Sequence, residues 1–440
     1  MLIAVLTVIS ISCGDDDDSP NINGNGGVSL GKVEVTLTGF NGNLSNIEVE
    51  LRNTQTASTF TEKTDDKGKA TFEVTPGIYQ AMASASKQQQ NTYTVLNGTS
   101  GQIIVKSGET TEVIITMQGS STSQVVIKEL YNGGIMKDDG KSFQYDKCFI
   151  LYNNSNIKAS LDNLCVGIGS PYNSQGSNKW HGNDGKLIYE AEGYLPAIDG
   201  IWYFPNTVQM EPYSQLVVNI HGAINNTLTY PMSVNYANKD YYCMYDPESG
   251  YVNASYYPTP ADVIPASHYL KAVKLGTSNA WPLSVSSPAF FLFQTQGVTP
   301  VEYATNVNNH VYTPGTAQTN VNKNLKVPVE WVIDGIEVFS AAHPDTNVKR
   351  LTSTIDAGYV MLTNQYGHSL YRNVDKGATE ALPENAGKLV YNYALGIAPS
   401  TDASGIDAEA SMKNGAHIIY IDTNNASTDF HERQKCSLKD

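Results

Sequence analysis

The feature that most constrains this chain is a strict alternation of apolar and polar residues in short runs. Three such runs are Val33–Thr38, Ile47–Leu51 and Lys69–Val74, and Asn, Asp and Gly residues separate them. Successive side chains of a β-strand point to opposite faces of its sheet, so a period of two predicts half-buried strands joined by turns. Only 16% of the 440 residues are charged. We therefore predict an all-β protein of antiparallel β-sandwiches, without long helices.

The chain begins with an apolar run, Leu2–Ile11, that ends in small residues before Cys13. Ten residues are too few to cross ~30 Å of hydrocarbon as a helix, but they suit the apolar region of a signal peptide. A truncated or wrongly chosen start in front of a buried strand is the alternative. The missing basic residues agree with some truncation, whereas the aspartates that follow do not suit a core strand.

Small residues ahead of a lone early cysteine resemble a bacterial lipoprotein cleavage site. This resemblance implies that residues 1–12 are removed and that Cys13 carries acyl chains, each buried CH2 of which contributes ~0.8 kcal/mol to membrane binding. The run Asp15, Asp16, Asp17 and Asp18 resembles the export signal of surface lipoproteins of the Bacteroidota, with a solvated spacer as the alternative. Residues 13–29 are thus expected to form an acidic tether that displays the protein on the outer membrane.

Charge and cysteine usage bound the possible partners. The net charge of −15 repels phosphate backbones, so we predict no nucleic-acid partner. Four cysteines follow Cys13, and they allow three pairings into two disulfides. Two bridges and buried free thiols both remain open. These cysteines are Cys148, Cys165, Cys243 and Cys436.

Residues 30–118 are predicted to form a first small β-sandwich. In Thr64–Phe72 a turn with Gly68 leads into a strand, and Pro76–Tyr79 leads into the next. This pairing resembles the carboxypeptidase-regulatory-like and prealbumin-like modules, which implies a spacer or docking domain. Residues 119–124 are expected to be a linker because they are mostly Gly, Ser and Thr.

Residues 125–440 are predicted to form a second sandwich. Its apolar strands and Asn-rich turns resemble the lamin-tail type of immunoglobulin-like domain. The chain as a whole resembles a Bacteroidota family of outer-membrane lipoproteins of unassigned function that joins these two modules. The segments that carry the lamin-tail resemblance are Val125–Gly134, Cys148–Asn154, Ala159–Leu164, Trp202–Pro205, Met210–Val218 and Asp422–Phe430.

The second sandwich is expected to contain a long, loop-rich insertion at about residues 221–326 that is dense in aromatic residues. Tyrosine offers a rigid contact area with a polar tip and concentrates in binding surfaces. The alternative is that the rings pack the insertion onto the sandwich. The candidate surface for a ligand or partner consists of Tyr241, Tyr242, Tyr245, Tyr251, Tyr256 and Tyr257.

No local motif for catalysis or metal binding is present in the sequence. The eight histidines are isolated from one another, and no HExxH or GxSxG motif occurs. Asp429–Glu432 is the nearest approach to a ligand group, and we expect surface polar residues there. Asp334 precedes Gly335 in a predicted buried strand, where a bulge is expected. The Asp138–Gly140 turn could hold calcium but is typical of a simple turn. His417–Ile421 is expected to be a final strand.

These features predict a non-enzymatic binding or accessory lipoprotein without a cofactor. The family resemblance implies a TonB-dependent transporter as partner and a small nutrient, such as iron or haem, as ligand. Two alternatives remain: a secreted hydrolase of glycans or peptides whose carboxylates come from distant strands, and a cell-surface adhesin or scaffold.

Overall fold

The computed structural model describes residues 29–39, 44–56, 58–89, 92–121, 123–175 and 178–440. Cys13, predicted to be lipidated, and the predicted export signal Asp15–Asp18 lie outside the described residues. The described part is 38% strand and 12% helix, with large sheets, which confirms the predicted all-β class.

Nine strands form two sheets at the amino-terminal side. One sheet has the order β4-β1-β8, the other β3-β2-β5-β6-β9, and β7 pairs with β5. In β1 buried and half-buried residues alternate, as the sequence predicts. The strands are β1 Gly31–Thr38, β2 Glu48–Asn53, β3 Thr59–Lys63, β4 Lys69–Val74, β5 Gly77–Gln89, β6 Thr92–Thr99, β7 Ile103–Val105, β8 Thr110–Thr116 and β9 Gln118–Ser121.

The remaining strands build a larger β-structure. They are β10 Val125–Tyr131, β11 Ile135–Met136, β12 Ser142–Phe143, β13 Cys148–Asn153, β14 Ala159–Leu161, β15 Leu164–Ile168, β16 Tyr194–Ile198, β17 Gly200–Tyr203, β18 Val208–Met210, β19 Gln215–Asn219, β20 Tyr242–Met244, β21 Tyr269–Lys274, β22 Ala289–Gln294, β23 His310–Tyr312, β24 Lys323–Pro328, β25 Val332–Ser340, β26 Val360–Leu362, β27 Ser369–Arg372 and β28 Phe430–Arg433.

All helices in the described part are short. The α-helices are α1 Pro300–Thr305, α2 Lys376–Glu380, α3 Ala408–Lys413 and α4 Ala426–Asp429. The 3-10 helices are Asn226–Leu228, Ala266–His268, Val307–Asn309, Asn320–Asn322, Val329–Trp331, Pro344–Thr346, Pro383–Asn385 and Ser437–Lys439. Within the described ranges, no helix has the length and apolarity needed to cross a bilayer.

A twelve-stranded sheet dominates the larger part, with the order β26-β25-β22-β15-β17-β21-β20-β19-β13-β10-β27-β28. Its two ends meet, because the Thr363 backbone N–H, just after β26, donates to Glu432 on β28 at 2.6 Å. The largest apolar cluster includes Phe149, Trp202 and Phe290 from separate strands of this sheet. The sheet therefore folds over and encloses its own core.

Residues 221–326 are partly integrated into these sheets. Strand β20 pairs in parallel with both β19 and β21, and β22 lies between β15 and β25. Strand β24 pairs with both β16 and β23 in a separate three-stranded sheet. This stretch thus supplies strands of the central sheet as well as long loops.

Two kinds of contact join the amino-terminal sheets to the larger part. The Asn97 side chain donates to the Thr423 carbonyl at 2.6 Å. The Arg52 guanidinium lies 4.9 Å from the centre of the Tyr359 ring, which stacks on Phe339. Both contacts join the sheet β3-β2-β5-β6-β9 to the part of the larger β-structure that contains residues 359 and 423.

Two expectations for the carboxyl-terminal region are wrong. Asp429, His431 and Glu432 are buried rather than on the surface, because β28 lies against β27 and under the loop that contains Gly396. His417–Ile421 forms no strand; it has an isolated bridge between Tyr420 and Val374. Alternation alone does not reveal that the last strand is covered on both faces.

Candidate functional site

A pocket of about 260 Å³ opens between the β11–β12 hairpin and the turn at residues 229–232. It has apolar, aromatic and charged walls. Its lining residues are Ile135, Met136, Lys137, Asp138, Asp139, Thr229, Tyr230, Pro231 and Met232.

Backbone constraints fix the hairpin wall. Gly134 has a φ of +69°, and a Cβ there would lie 2.3 Å from the Phe143 carbonyl oxygen, so only glycine allows this entry to the hairpin. At the tip, Gly140 has a φ of +74° and Asp139 accepts from the Lys141 N–H at 3.0 Å. The turn predicted at Asp138–Gly140 is therefore present, and one Asp139 oxygen is used by the backbone.

The opposite wall follows the 3-10 helix at residues 226–228. The Tyr230 N–H donates to the Asn226 carbonyl at 2.9 Å, and the Ser233 N–H donates to the Tyr230 carbonyl at 2.8 Å. The Tyr230 ring packs on Phe143 with 4.4 Å between ring centres, and Lys137 Nζ lies 5.8 Å from the Tyr230 centre. Aromatic packing thus joins the two walls.

The rim of the pocket exposes apolar side chains. Met232 is 62% exposed, Met136 is 43% exposed, and Leu228, four residues before Met232, is 84% exposed. Methionine is unbranched and polarisable and adapts to differently shaped ligands. Apolar groups left in water around a concavity are typical of binding surfaces.

A buried carboxyl group supports the 229–233 turn from below. Asp146 Oδ2 accepts from the Ser233 hydroxyl at 2.5 Å and from the Tyr131 hydroxyl at 3.0 Å. Among the described residues, no hydrogen-bond partner reaches Asp146 Oδ1. Burial raises the pKa of Asp146 to about 6, because the ionised form loses its hydration.

Two buried basic groups lie on the same side of the core. Lys147 Nζ donates to the Leu283 carbonyl at 2.7 Å, and burial lowers the pKa of Lys147 to about 7. Burial also lowers the pKa of His221 well below its usual value, with the Lys147 charge as the second cause. His221 is therefore neutral at physiological pH.

Aromatic contacts link the pocket to this buried cluster. Phe143 packs edge-on against Tyr145 at 5.7 Å, Tyr145 against Tyr256 at 4.6 Å, and Tyr256 against His221 at 4.7 Å. The pocket walls, Asp146 and His221 thus form one continuously packed region.

The six tyrosines predicted to form a binding surface do not lie on one surface. Tyr251 and Tyr257 are buried and pack around Trp202, at 5.6 and 5.7 Å between ring centres. Tyr242 is half-buried and stacks on His268 at 4.1 Å. Tyr241, Tyr245 and Tyr256 are also half-buried. Their binding role stays a prediction, and the two interior rings serve packing.

Apart from the Asp138–Gly140 turn, the pocket residues were missed by the sequence analysis. Met136 and Met232 are far apart in the chain, and neither belongs to a recognisable motif. The signals that could have pointed to them are the exposed-turn composition of Asp138–Gly140 and the apolar side chain of Met232 after Pro231.

Three acidic side chains, including Asp334, gather around a buried arginine. Asp334 and Arg372 form a close ion pair, and Arg372 Nη1 lies 3.3 Å from Asp422 Oδ1 and 3.7 Å from Asp429 Oδ2. Burial raises the pKa of Asp334 to about 7 and that of Asp429 to about 8. These groups are buried in the core, where they hold strands together and do not face an open cleft.

Asp334 also explains its predicted bulge. The register between β22 and β25 shifts where Leu292 faces Asp334 and Phe293 faces Val332. Asp334 Oδ1 accepts from the Gly335 N–H at 2.8 Å, and Oδ2 accepts from the Ile127 N–H at 2.6 Å. The bulge turns this carboxylate towards β10 and β27, where it ties the folded-over sheet.

A tyrosine and a histidine also pair in the interior. The Tyr393 hydroxyl contacts His431 Nε2, and His431 Nδ1 lies 2.7 Å from Asn373 Oδ1. Burial lowers the pKa of His431 to about 3, so the ring is neutral and accepts from the phenol. Within the described ranges, no group of three or more His, Cys, Asp or Glu side chains could hold a metal ion.

Comparison with known proteins finds a family model that matches part of the chain. Residues 211–393 match the family model described as "Protein of unknown function (DUF4876)". The chain is similar to the crystal structure of a DUF4876 family protein from Bacteroides thetaiotaomicron, with 19% identity, a TM-score of 0.53, and coverage of 91% of this chain and 94% of that chain. This likeness shows a shared fold.

The second structure compared is the Bacillus anthracis TIE protein. It has 13% identity, a TM-score of 0.17, and coverage of 43% of this chain and 45% of that chain. A TM-score of 0.17 is too low to indicate a shared fold. A search of curated proteins finds no match to the chain.

Proposed function

We propose that this protein is a non-enzymatic binding lipoprotein of the bacterial surface, whose pocket between residues 135–139 and 229–232 binds a small nutrient. The observation that carries the proposal is the apolar rim of Met136 and Met232 around a concavity that also holds an aromatic ring and charged groups. Such a mixture of apolar walls with a few polar groups is the usual composition of ligand sites.

The size of the pocket restricts the ligand. Its volume of about 260 Å³ is just below the ~300–1,000 Å³ of typical ligand sites, so it accommodates a small molecule or one end of a longer one. Lys137 and Asp138 at the wall offer both signs of charge. The family resemblance implies iron or haem as the nutrient. This pocket would contact only part of such a ligand.

The setting of the pocket follows from the sequence-based resemblances. Cys13 carries the lipid anchor in the outer membrane, and Asp15–Asp18 direct the protein to the cell surface. The amino-terminal sheets act as the regulatory-like spacer and the larger part as the lamin-tail-like module. The partner that takes up the bound nutrient is a TonB-dependent transporter.

A matched pair of variants tests the pocket. In Met232→Lys a charge replaces an exposed apolar group on the rim of the pocket. The control Val321→Lys makes the same kind of change at a side chain that is 64% exposed and does not line the pocket. After dialysis against a small-molecule extract of the growth medium, mass spectrometry should find compounds retained by the wild type and by Val321→Lys. We expect retention by Met232→Lys to fall at least about tenfold. Equal retention by all three proteins would contradict the pocket assignment.

Separate experiments test the anchor and the partner. Palmitate labelling should mark the wild type and be lost in Cys13→Ala, and globomycin should block processing. Affinity isolation from detergent-solubilised membranes should recover a TonB-dependent transporter with the wild type. Recovery of no transporter would remove that partner without affecting the ligand assignment.

A further inference from the structure

The four cysteines of the described part fall into three separate clusters. Cys165 packs with Trp180 and Phe291, and Cys243 packs with Ala223 and Ile264. Cys148 and Cys436 belong to one cluster together with Tyr131, Val234 and Tyr236. Among these four cysteines, Cys148 and Cys436 are the pair that shares a cluster.

The two thiols lie in the same buried cluster. Cys148 begins strand β13, opposite Tyr131 on β10 and Asn219 on β19, so it is fixed in the central sheet. Cys436 precedes the last 3-10 helix, and the Cys148 thiol lies close enough to Cys436 to raise its pKa. Both side chains are completely buried.

Polar contacts hold the carboxyl-terminal segment in this position. The Ser437 N–H donates to the buried Glu129 carboxylate at 3.0 Å, and the Ser437 hydroxyl also contacts Glu129. Arg433 Nη2 lies 2.5 Å from Asp440 Oδ2, and Lys435 Nζ lies 3.0 Å from Asp440 Oδ1. Cys436 is therefore held from both sides against Cys148.

We propose that Cys148 and Cys436 form a disulfide bond that ties the carboxyl-terminal segment to strand β13. The oxidant is a disulfide, either a small molecule such as oxidised glutathione or a disulfide-exchange protein. One cysteine thiolate attacks a sulfur of the oxidant, which releases one thiol and leaves a mixed disulfide. The second thiolate then displaces the second thiol, so one protein disulfide forms and one disulfide of the oxidant becomes two thiols.

The environment of the pair decides when this reaction takes place. Burial raises the pKa of Cys436 well above its usual value, which suppresses the reactive thiolate in the folded protein. The bond therefore forms during folding, before the segment closes, and is protected from reductants afterwards. Disulfides persist in oxidising extracytoplasmic compartments. The inference goes beyond the binding function, and its test in solution does not depend on the anchor.

Trypsin can isolate the two cysteines on separate peptides. Cleavage after Lys147 and Lys158 releases residues 148–158, and cleavage after Lys435 and Lys439 releases residues 436–439. The full chain is unfolded with reductant, refolded in a mixture of reduced and oxidised glutathione, and treated with N-ethylmaleimide in denaturant to block free thiols. We expect a non-reduced digest to contain the two peptides linked, while Cys165 and Cys243 carry the maleimide.

Variants and stability complete the test. In Cys436→Ala the 148–158 peptide should carry the maleimide, whereas Cys243→Ala should retain the linked peptides. The wild type refolded with reductant alone should have a thermal midpoint about 5 °C or more below that of the wild type refolded in the glutathione mixture, because the bond closes a very long loop of the unfolded chain. Maleimide on both Cys148 and Cys436 of the refolded wild type, or either cysteine linked to another partner, would overturn the proposal.

Discussion

Two buried charged regions of this protein differ in how completely their groups are paired. Around Arg350, Glu337 accepts from the guanidinium at 2.6 Å and from the backbone N–H groups of Arg350 and Leu351. Arg350 Nη1 also donates to the Ser287 carbonyl at 2.9 Å. Beside the pocket, by contrast, Asp146 Oδ1 and His221 Nδ1 have no partner among the described residues.

The difference in pairing separates a structural site around Arg350 from a region beside the pocket whose groups can change protonation. Breaking a well-paired buried ion pair leaves an uncompensated charge, so the Arg350 site fixes one arrangement of its strands. Beside the pocket, burial raises the pKa of Asp146 to about 6 and lowers the pKa of Lys147 to about 7. Strongly shifted groups next to a concavity are typical of functional sites. The pocket side of the core therefore contains buried groups that titrate near neutral pH.

The largest expected effect comes from breaking the Arg350 site. Glu337→Ala should lower the free energy of unfolding by ~3–5 kcal/mol, because it strands a buried guanidinium and two backbone N–H groups. Guanidinium-induced unfolding followed by tryptophan fluorescence measures the change.

The double variant Arg350→Met/Glu337→Leu is the control for this prediction. It removes both charges and should recover part of the loss, while the unpaired backbone groups keep it below the wild type. A single variant as stable as the wild type would mean that the pair contributes nothing to the fold.

A smaller, pH-dependent effect is expected at Asp146. Its folded pKa of about 6 lies above the model-peptide value of 3.8, so its contribution to stability is complete below pH ~4 and is lost as the pH rises through 6. Asp146→Asn has no titrating group at this position, so its unfolding free energy does not fall in this way. Relative to the wild type, the variant should gain ~2–3 kcal/mol in unfolding free energy between pH 4 and pH 7.5.

Asp138→Asn is the matched control for Asp146, since it makes the same change at an exposed aspartate of the pocket wall. Because this exposed side chain stays in water on folding, the substitution should leave the unfolding free energy within ~0.5 kcal/mol of the wild type. If the stability of Asp146→Asn relative to the wild type did not vary with pH, the carboxyl group would not be the origin of the pH dependence.

The smallest effect is expected for an ion pair in solvent. Lys158 Nζ lies 2.9 Å from Glu211 Oε1, with both side chains more than half exposed. Water screens this pair and both side chains lose rotamer freedom, so Lys158→Ala should change the unfolding free energy by less than ~1 kcal/mol. The same denaturant titration measures it, and a loss comparable to that of Glu337→Ala would remove the distinction between buried and exposed pairs.

Local sequence predicted the strands of the amino-terminal part well. The runs around Val33, Val49 and Phe72 form β1, β2 and β4, because each has one face in a core and one nearer to solvent. The strand around Ile336 and its bulge at Asp334 were also predicted correctly. The burial of Asp429, His431 and Glu432 was not, because it depends on segments distant in the chain.

The candidate site was even less accessible to sequence reasoning. The tyrosine-dense stretch drew attention to rings such as Tyr251 and Tyr257, which the fold buries around Trp202. The pocket instead joins a hairpin near Met136 to a turn near Met232. A tyrosine has the same composition in a core and on a surface, so only its neighbours in space decide between the two.

The amino-acid sequence by itself determined the all-β character and several strand faces, because a period of two forces one face of each strand towards a core. Only the tertiary structure decided which aromatic rings are buried, which cysteines meet and where a pocket opens. These properties depend on contacts between residues far apart in the chain, and such contacts arise only when the twelve-stranded sheet folds over and its ends meet.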